Sequence, residues 1–95
     1  MIERENGRLM VRGAVTMETA SALYESGLQQ VAKEDVLLDF SRAETVDSAA
    51  VAMLLAWAKA AQRESRELRV VGLPEGVLSL ANLYGVAEML PHSAS

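Results

Sequence analysis

The sequence predicts an α/β fold, a small mixed β-sheet packed with α-helices, on three observations. Short apolar or alternating runs recur at four places, as half-buried or central strands do. Between the third and fourth lies a long Ala- and Leu-rich segment of helical composition. The elements also follow in the order strand, strand, helix, strand, helix, strand, helix. That order sets the later strands parallel, joined by right-handed helical crossovers.

Arg8 to Gly13 alternates polar and apolar residues around Leu9 and Val11, and Ile2 to Glu5 is placed to pair with it across Asn6-Gly7, a strong hairpin signal. Thr16 is suited to cap a first helix that carries Leu23, Gly27 and Val31 on one stripe and Ala20, Tyr24 and Leu28 on the next, ending near Lys33. Val36-Leu37-Leu38, closed by Asp39, reads as a central strand buried on both faces, followed by a polar loop from Ser41 to Thr45. Asp47 or Ser48 caps the long helix, Ala49 to about Arg63. Leu68 to Gly72 is the last predicted strand. Pro74 suits a first helical position, and Gly85 is placed to end that third helix after Leu80 and Leu83.

Ninety-five residues suffice for one compact core, and no repeat or Pro/Gly/Ser-rich linker divides them, so residues 1–95 are expected to form a single domain. With 51% apolar and 23% charged residues the chain has the composition of a folded protein. Its net charge of -4 offers no basic face to neutralise phosphates, which argues against nucleic acid or an anionic membrane surface as principal partner. Cysteine is absent, which removes disulfides and thiolate metal sites. The acidic start Met-Ile-Glu-Arg-Glu is unlike a secretory signal, so a cytoplasmic location is expected. The longest apolar run, Ala49 to Ala58, is about half of the roughly 20 residues that span a bilayer.

The inventory for catalysis is poor. The sequence holds no GxxxxGK[ST] loop to cradle a nucleotide phosphate, and its single histidine, His92, stands near the C-terminus without a cysteine to share a zinc ion. Asp39, Glu44 and Asp47 cluster along the chain, and a paired-acid site is conceivable. Loop and cap duties account for such carboxylates more simply, since Asp39 can satisfy loop amides and Asp47 a helix start. Neither a catalytic residue nor a cofactor is therefore expected.

The long helix is more informative. At 100° per residue Val51, Leu54, Leu55, Ala58 and Ala61 fall on one arc that should face the sheet. The opposite side turns polar only from Lys59, through Arg63 and Glu64; its first two turns carry Ala49, Ala52, Met53 and Ala56, with Trp57 at the edge. A flat uncharged face with a charged rim suits a protein interface, although alanines are also simply good helix formers, and Trp57 can be core or anchor. Periodicity alone leaves both readings open. Ser48, at the mouth of the helix, is either a cap or a regulatory phosphorylation site, where a phosphate would favour the helix dipole yet place about -1.5 to -2 charge beside the docking face.

Asp39-Phe40-Ser41, then Val46-Asp47-Ser48-Ala49-Ala50-Val51 leading into an Ala/Leu-rich helix, resembles the signature of STAS domains, D-[LF]-S, a short loop, then a hydrophobic residue before D-[ST]. The resemblance covers nearly the whole chain and implies the STAS fold. Two branches compete. Anti-sigma-factor antagonists, which act by partner switching, continue as D-S-[ST]-G-[LIV]-G with a phosphorylated serine; here Ala49, Ala50 and Ala52 replace the second hydroxyl and both glycines. The run D-S-A-A-V-A-M-L-L and the ending Leu80-Ala81-Asn82-Leu83-Tyr84-Gly85-Val86 through Leu90-Pro91 are more similar to MlaB-like proteins, STAS subunits of Mla-type phospholipid ABC transporters. That resemblance implies a non-catalytic subunit docked on an MlaF-like ATPase beneath an MlaE-like permease. Asp47, Ser48, Ala49, Ala52, Met53 and Ala56 would then form the contact.

Overall fold

The computed structural model describes residues 1–5 and 8–93. Strand β1 (Ile2–Glu5) and β2 (Arg8–Val15) are followed by α1 (Ala20–Lys33), β3 (Val36–Val46), α2 (Ser48–Arg63), β4 (Leu68–Val71) and α3 (Glu75–Leu83). A 3-10 turn, Ala87–Met89, then leads to a two-residue strand, β5 (His92–Ser93). The sheet order is β1-β2-β3-β4-β5, with β1 antiparallel to β2 and every other pair parallel. The predicted element order and mixed sheet are thus found. Asn6-Gly7 lies outside the described residues, but the strands on either side pair as expected, Ile2 opposite Val11 and Glu5 opposite Arg8.

Buried and exposed residues alternate along β2 and β4: Leu9, Val11, Leu68 and Val70 are buried while Arg8 and Arg69 face solvent. The buried residues of all three helices join these in one core with Leu38, Phe40 and Trp57. The α1 stripes fall as predicted, with Leu23, Gly27 and Val31 buried and Ala20, Tyr24 and Leu28 half-buried.

Three features of the sheet differ from expectation. Leu37 is only half-buried between buried Val36 and Leu38, because successive side chains point to opposite faces of the sheet and the face that carries Leu37 is less fully covered there. The loop expected from Ser41 to Thr45 is strand. Those polar residues lie beyond the reach of β4, which pairs only from Val36 to Asp39, so one side of the ladder is open while β2 supplies partners on the other, from Arg12↔Arg42 to Val15↔Val46. Register shifts between Met10 and Arg12 and between Gly13 and Ala14 accommodate the extension. Strand β5 had no signal in its sequence; its backbone pairs Arg69 with His92 and Val70 with Ser93.

Candidate docking surface

Val15 and Val46 end adjacent parallel strands opposite one another, so α1 and α2 both begin at the same edge of the sheet. The Asp47 amide donates to the Val15 carbonyl at 3.3 Å. Its carboxylate divides between the two helix entries: Oδ1 accepts from the Ala49 amide at 2.8 Å and Oδ2 from the Met17 amide at 3.1 Å. Thr19 fixes the other entry, its hydroxyl accepting from the Thr16 amide at 3.0 Å and donating to the Ala14 carbonyl at 2.9 Å.

The capping residues are therefore Asp47, and not Ser48, for α2, while Thr16 contributes its carbonyl, which accepts from the Thr19 and Ala20 amides. Ser48 is the first helical residue, half-buried, and no hydrogen bond engages its hydroxyl among the described residues. The physical reason is the longer acceptor: a carboxylate offers two oxygens and can serve both helix entries, which one hydroxyl cannot. Pro74 likewise stands one place earlier than expected, as the cap residue of α3.

Between α1 and α2 runs a shallow, open groove of about 250 Å³ lined by Ala20, Ser21, Tyr24, Ala49, Ala52, Met53 and Ala56. The helices approach closely because Gly27 has no side chain: a Cβ there would stand 2.7 Å from Cζ2 of Trp57. Trp57 is core, fully buried, with its Nε1 donating to the Tyr24 carbonyl at 3.1 Å. Ala52 is exposed, and Ala49 and Ala56 are half-buried along the groove.

Met53, expected on the outward face, is only 3% exposed and forms the groove floor. Helix α2 buries Ala50, Val51, Met53, Leu54, Trp57 and Ala61, whereas Leu55 and Ala58 are half-buried. At 100° per residue the centre of this buried arc lies roughly 60° from the predicted one. The cause is α1, which covers the Met53 and Trp57 flank of α2, a neighbour that periodicity within one helix does not reveal.

The Asp39-Phe40-Ser41 motif is structural. Asp39, 8% exposed, accepts from the Ser41 hydroxyl at 2.6 Å and the Ser41 amide at 2.9 Å, with the Arg8 guanidinium at 3.5 Å. The Ser41 hydroxyl and then its amide hold the Asp39 carboxyl below the ordinary carboxylate range, against the opposing effect of burial; the charges of Arg8 and Arg42 add to the lowering. Gly72, at φ +68°, packs on this turn, where a Cβ would come within 2.8 Å of the Ser41 amide nitrogen. Asp39 and Asp47 are separated by extended strand spanning roughly 25 Å, too far to work as an acid pair.

Among the described residues no helix is long and apolar enough to cross a membrane, and no three His, Cys, Asp or Glu side chains are grouped to hold a metal ion.

No curated protein matches the sequence. Among solved structures the fold is similar to the anti-sigma factor antagonist SpoIIAA in its unphosphorylated form, with a TM-score of 0.72 at 11% identity over 100% of this chain and 87% of that one. It is also similar to a proposed anti-sigma factor antagonist from Thermotoga maritima, with a TM-score of 0.75 at 13% identity over 100% of this chain and 86% of that one. At such identities the likeness concerns the fold. The family model described as "Mlab, STAS domain" matches residues 1–91. With its sheet order, helix placement and D-F-S and D-S motifs accounted for in three dimensions, this chain belongs to the MlaB-type STAS domain family.

Proposed function

We propose that this chain is a non-catalytic, cytoplasmic STAS subunit that docks on the MlaF-like ATPase of an Mla-type ABC transporter and stabilises or activates it. Through that contact it would lie beneath the MlaE-like permease, peripheral to the inner membrane, and serve phospholipid trafficking that maintains outer-membrane lipid asymmetry. The observation that carries the reading is the α1/α2 groove, apolar and uncharged, whose lining begins at Ala20 and Ala49 in the first turns of the two helices, with Ser48 one residue before it. Alanines at 49, 52 and 56 let a partner backbone approach closely, and Asp47 holds the two rims in a fixed relation. Family membership over residues 1–91 supports the same reading.

The test is reconstitution with the Mla-type ATPase of the same genome. Stable co-purification of the two, and loss of it on Ala52→Glu in a variant that melts normally, is the expected result. Anti-sigma-factor antagonism controlled by phosphorylation of Ser48 predicts instead a complex with a purified anti-sigma kinase of that genome and none with the ATPase. That outcome would reverse the reading.

A further inference from the structure

The exposed stripe of α2 does not end with the alanines. At 100° per residue Ala49, Ala52, Ala56, Lys59 and Arg63 fall within an arc of about 80°, so the alanines that line the groove share an exposed helix face with two cations that lie beyond its lining. Both are exposed, and among the described residues neither takes part in an ion pair. They stand four residues apart on one helix face, an arrangement of like charges that weakens a helix on its own. Arg63, in the last turn, complements the helix dipole, but Lys59 stands a turn further back, where that effect has faded. In a chain of net charge -4 the two cations stand together on this face, with exposed Glu64 following Arg63 about 100° around the helix.

We infer that the occupant of the groove is an amphipathic helix of the partner that lays small apolar residues over Ala52 and Ala56 and brings a carboxylate to Lys59 and Arg63. The inference rests on the docking function proposed above and specifies the chemistry of the partner. The stripe from Ala49 to Arg63 is roughly 21 Å long, the length of about four helical turns, and small side chains along it admit a helix into the groove. Two exposed acids, Glu18 just before α1 and Glu25 on it, and the net charge of -4 disfavour a uniformly anionic occupant such as a phosphate-rich surface. A helix with its acid at one end meets both conditions and enters in one orientation only. The uncharged half supplies the desolvated contact, and the cationic half steers and orients it.

The experiment measures association of the full chain with the Mla-type ATPase of the same genome, using Lys59→Glu/Arg63→Glu, the neutral Lys59→Gln/Arg63→Gln and Ala52→Glu, at low and physiological salt. The inference predicts roughly tenfold or more slower association of the charge-reversed pair at low salt, an intermediate effect for the neutral pair, and convergence with the unaltered chain as salt rises. Crosslinks from position 59 should fall on an acidic helix of the ATPase, and reversing that acid should restore binding to the charge-reversed pair. If Ala52→Glu abolishes binding while both charge pairs bind like the unaltered chain at every salt, docking stands and the acidic helix is overturned. A salt-sensitive homodimer through this face, or failure of the unaltered chain to bind the ATPase, overturns it also.

Discussion

Gly27 of α1 lies against the ring of Trp57 on α2, so that one added carbon would stand 2.7 Å from Cζ2 and 3.1 Å from Cε2. The glycine sets the separation of the two helices that form the groove. Gly27→Ala should therefore destabilise by about 1–3 kcal/mol, the usual cost of forcing a carbon into a packed core. In an exposed helix interior the same change stabilises by up to about 1 kcal/mol, so the sign is diagnostic. A fall in melting temperature of at least about 4 °C is expected, and a rise would mean that Trp57 yields easily.

Helices α2 and α3 end alike. The Arg66 amide bonds the Ala61 carbonyl and the Ser65 amide that of Gln62, just as Val86 bonds Ala81 and Gly85 bonds Asn82. The left-handed position is Gly85 in one, at φ +71°, and Ser65 in the other, at φ +56°. Ser65→Gly should relieve the Cβ conflict of that conformation, and after the added entropy of the unfolded chain it should stabilise by about 0.5–1 kcal/mol. Urea unfolding should show a higher midpoint with an unchanged slope.

Asp39 supplies a pH dependence whose sign follows from its lowered carboxyl. Its stabilisation is fully present above the unfolded carboxylate range, near pH 4, and is lost as pH falls through the still lower folded value. Asp39→Asn keeps the shape but loses the charged acceptor for Ser41, and should cost about 1–2 kcal/mol at pH 7. Stability curves of the two proteins should converge as the pH falls below the lowered folded value of Asp39. Parallel curves would show that Asp39 does not titrate with folding.

How legible this was differs by element. The α1 stripes and the Gly85 ending could be read because they depend on residues within one helix, and Gly85 could be placed because its backbone conformation belongs to glycine. Strand residues 41–45 could not, since they are held by backbone pairing with β2 and carry no apolar alternation of their own. The burial of Met53 and Trp57 could not be read for a related reason: it comes from α1, through the space at Gly27, and no pattern within α2 encodes its neighbour. At the start of α2 the sequence offered both Asp47 and Ser48 as caps; the Ala49 amide and the Met17 amide, the latter brought there by the adjoining β2 terminus, both bond Asp47 and so distinguish them.

That distinction separates folding from docking at the start of α2. Asp47→Ala removes an acceptor from two amides and should cost about 1–2 kcal/mol, at the upper end of cap losses because Met17 is released as well as Ala49. Ser48→Ala should stay within about 0.5 kcal/mol of the unaltered protein, since Ser48 caps nothing. Ser48→Asp adds a carboxylate to the first turn, where the helix dipole favours it, and should melt at the same temperature or slightly higher. Yet it sets a charge one residue before Ala49, the first residue of α2 to line the uncharged groove, where the proposed contact would desolvate it. Calorimetry and ATPase binding should thus rank the variants differently: Asp47→Ala is the least stable, Ser48→Asp the weakest binder, and Ser48→Ala near normal in both. Tight binding by Ser48→Asp would place the contact away from Ser48, further along α2 toward Ala56.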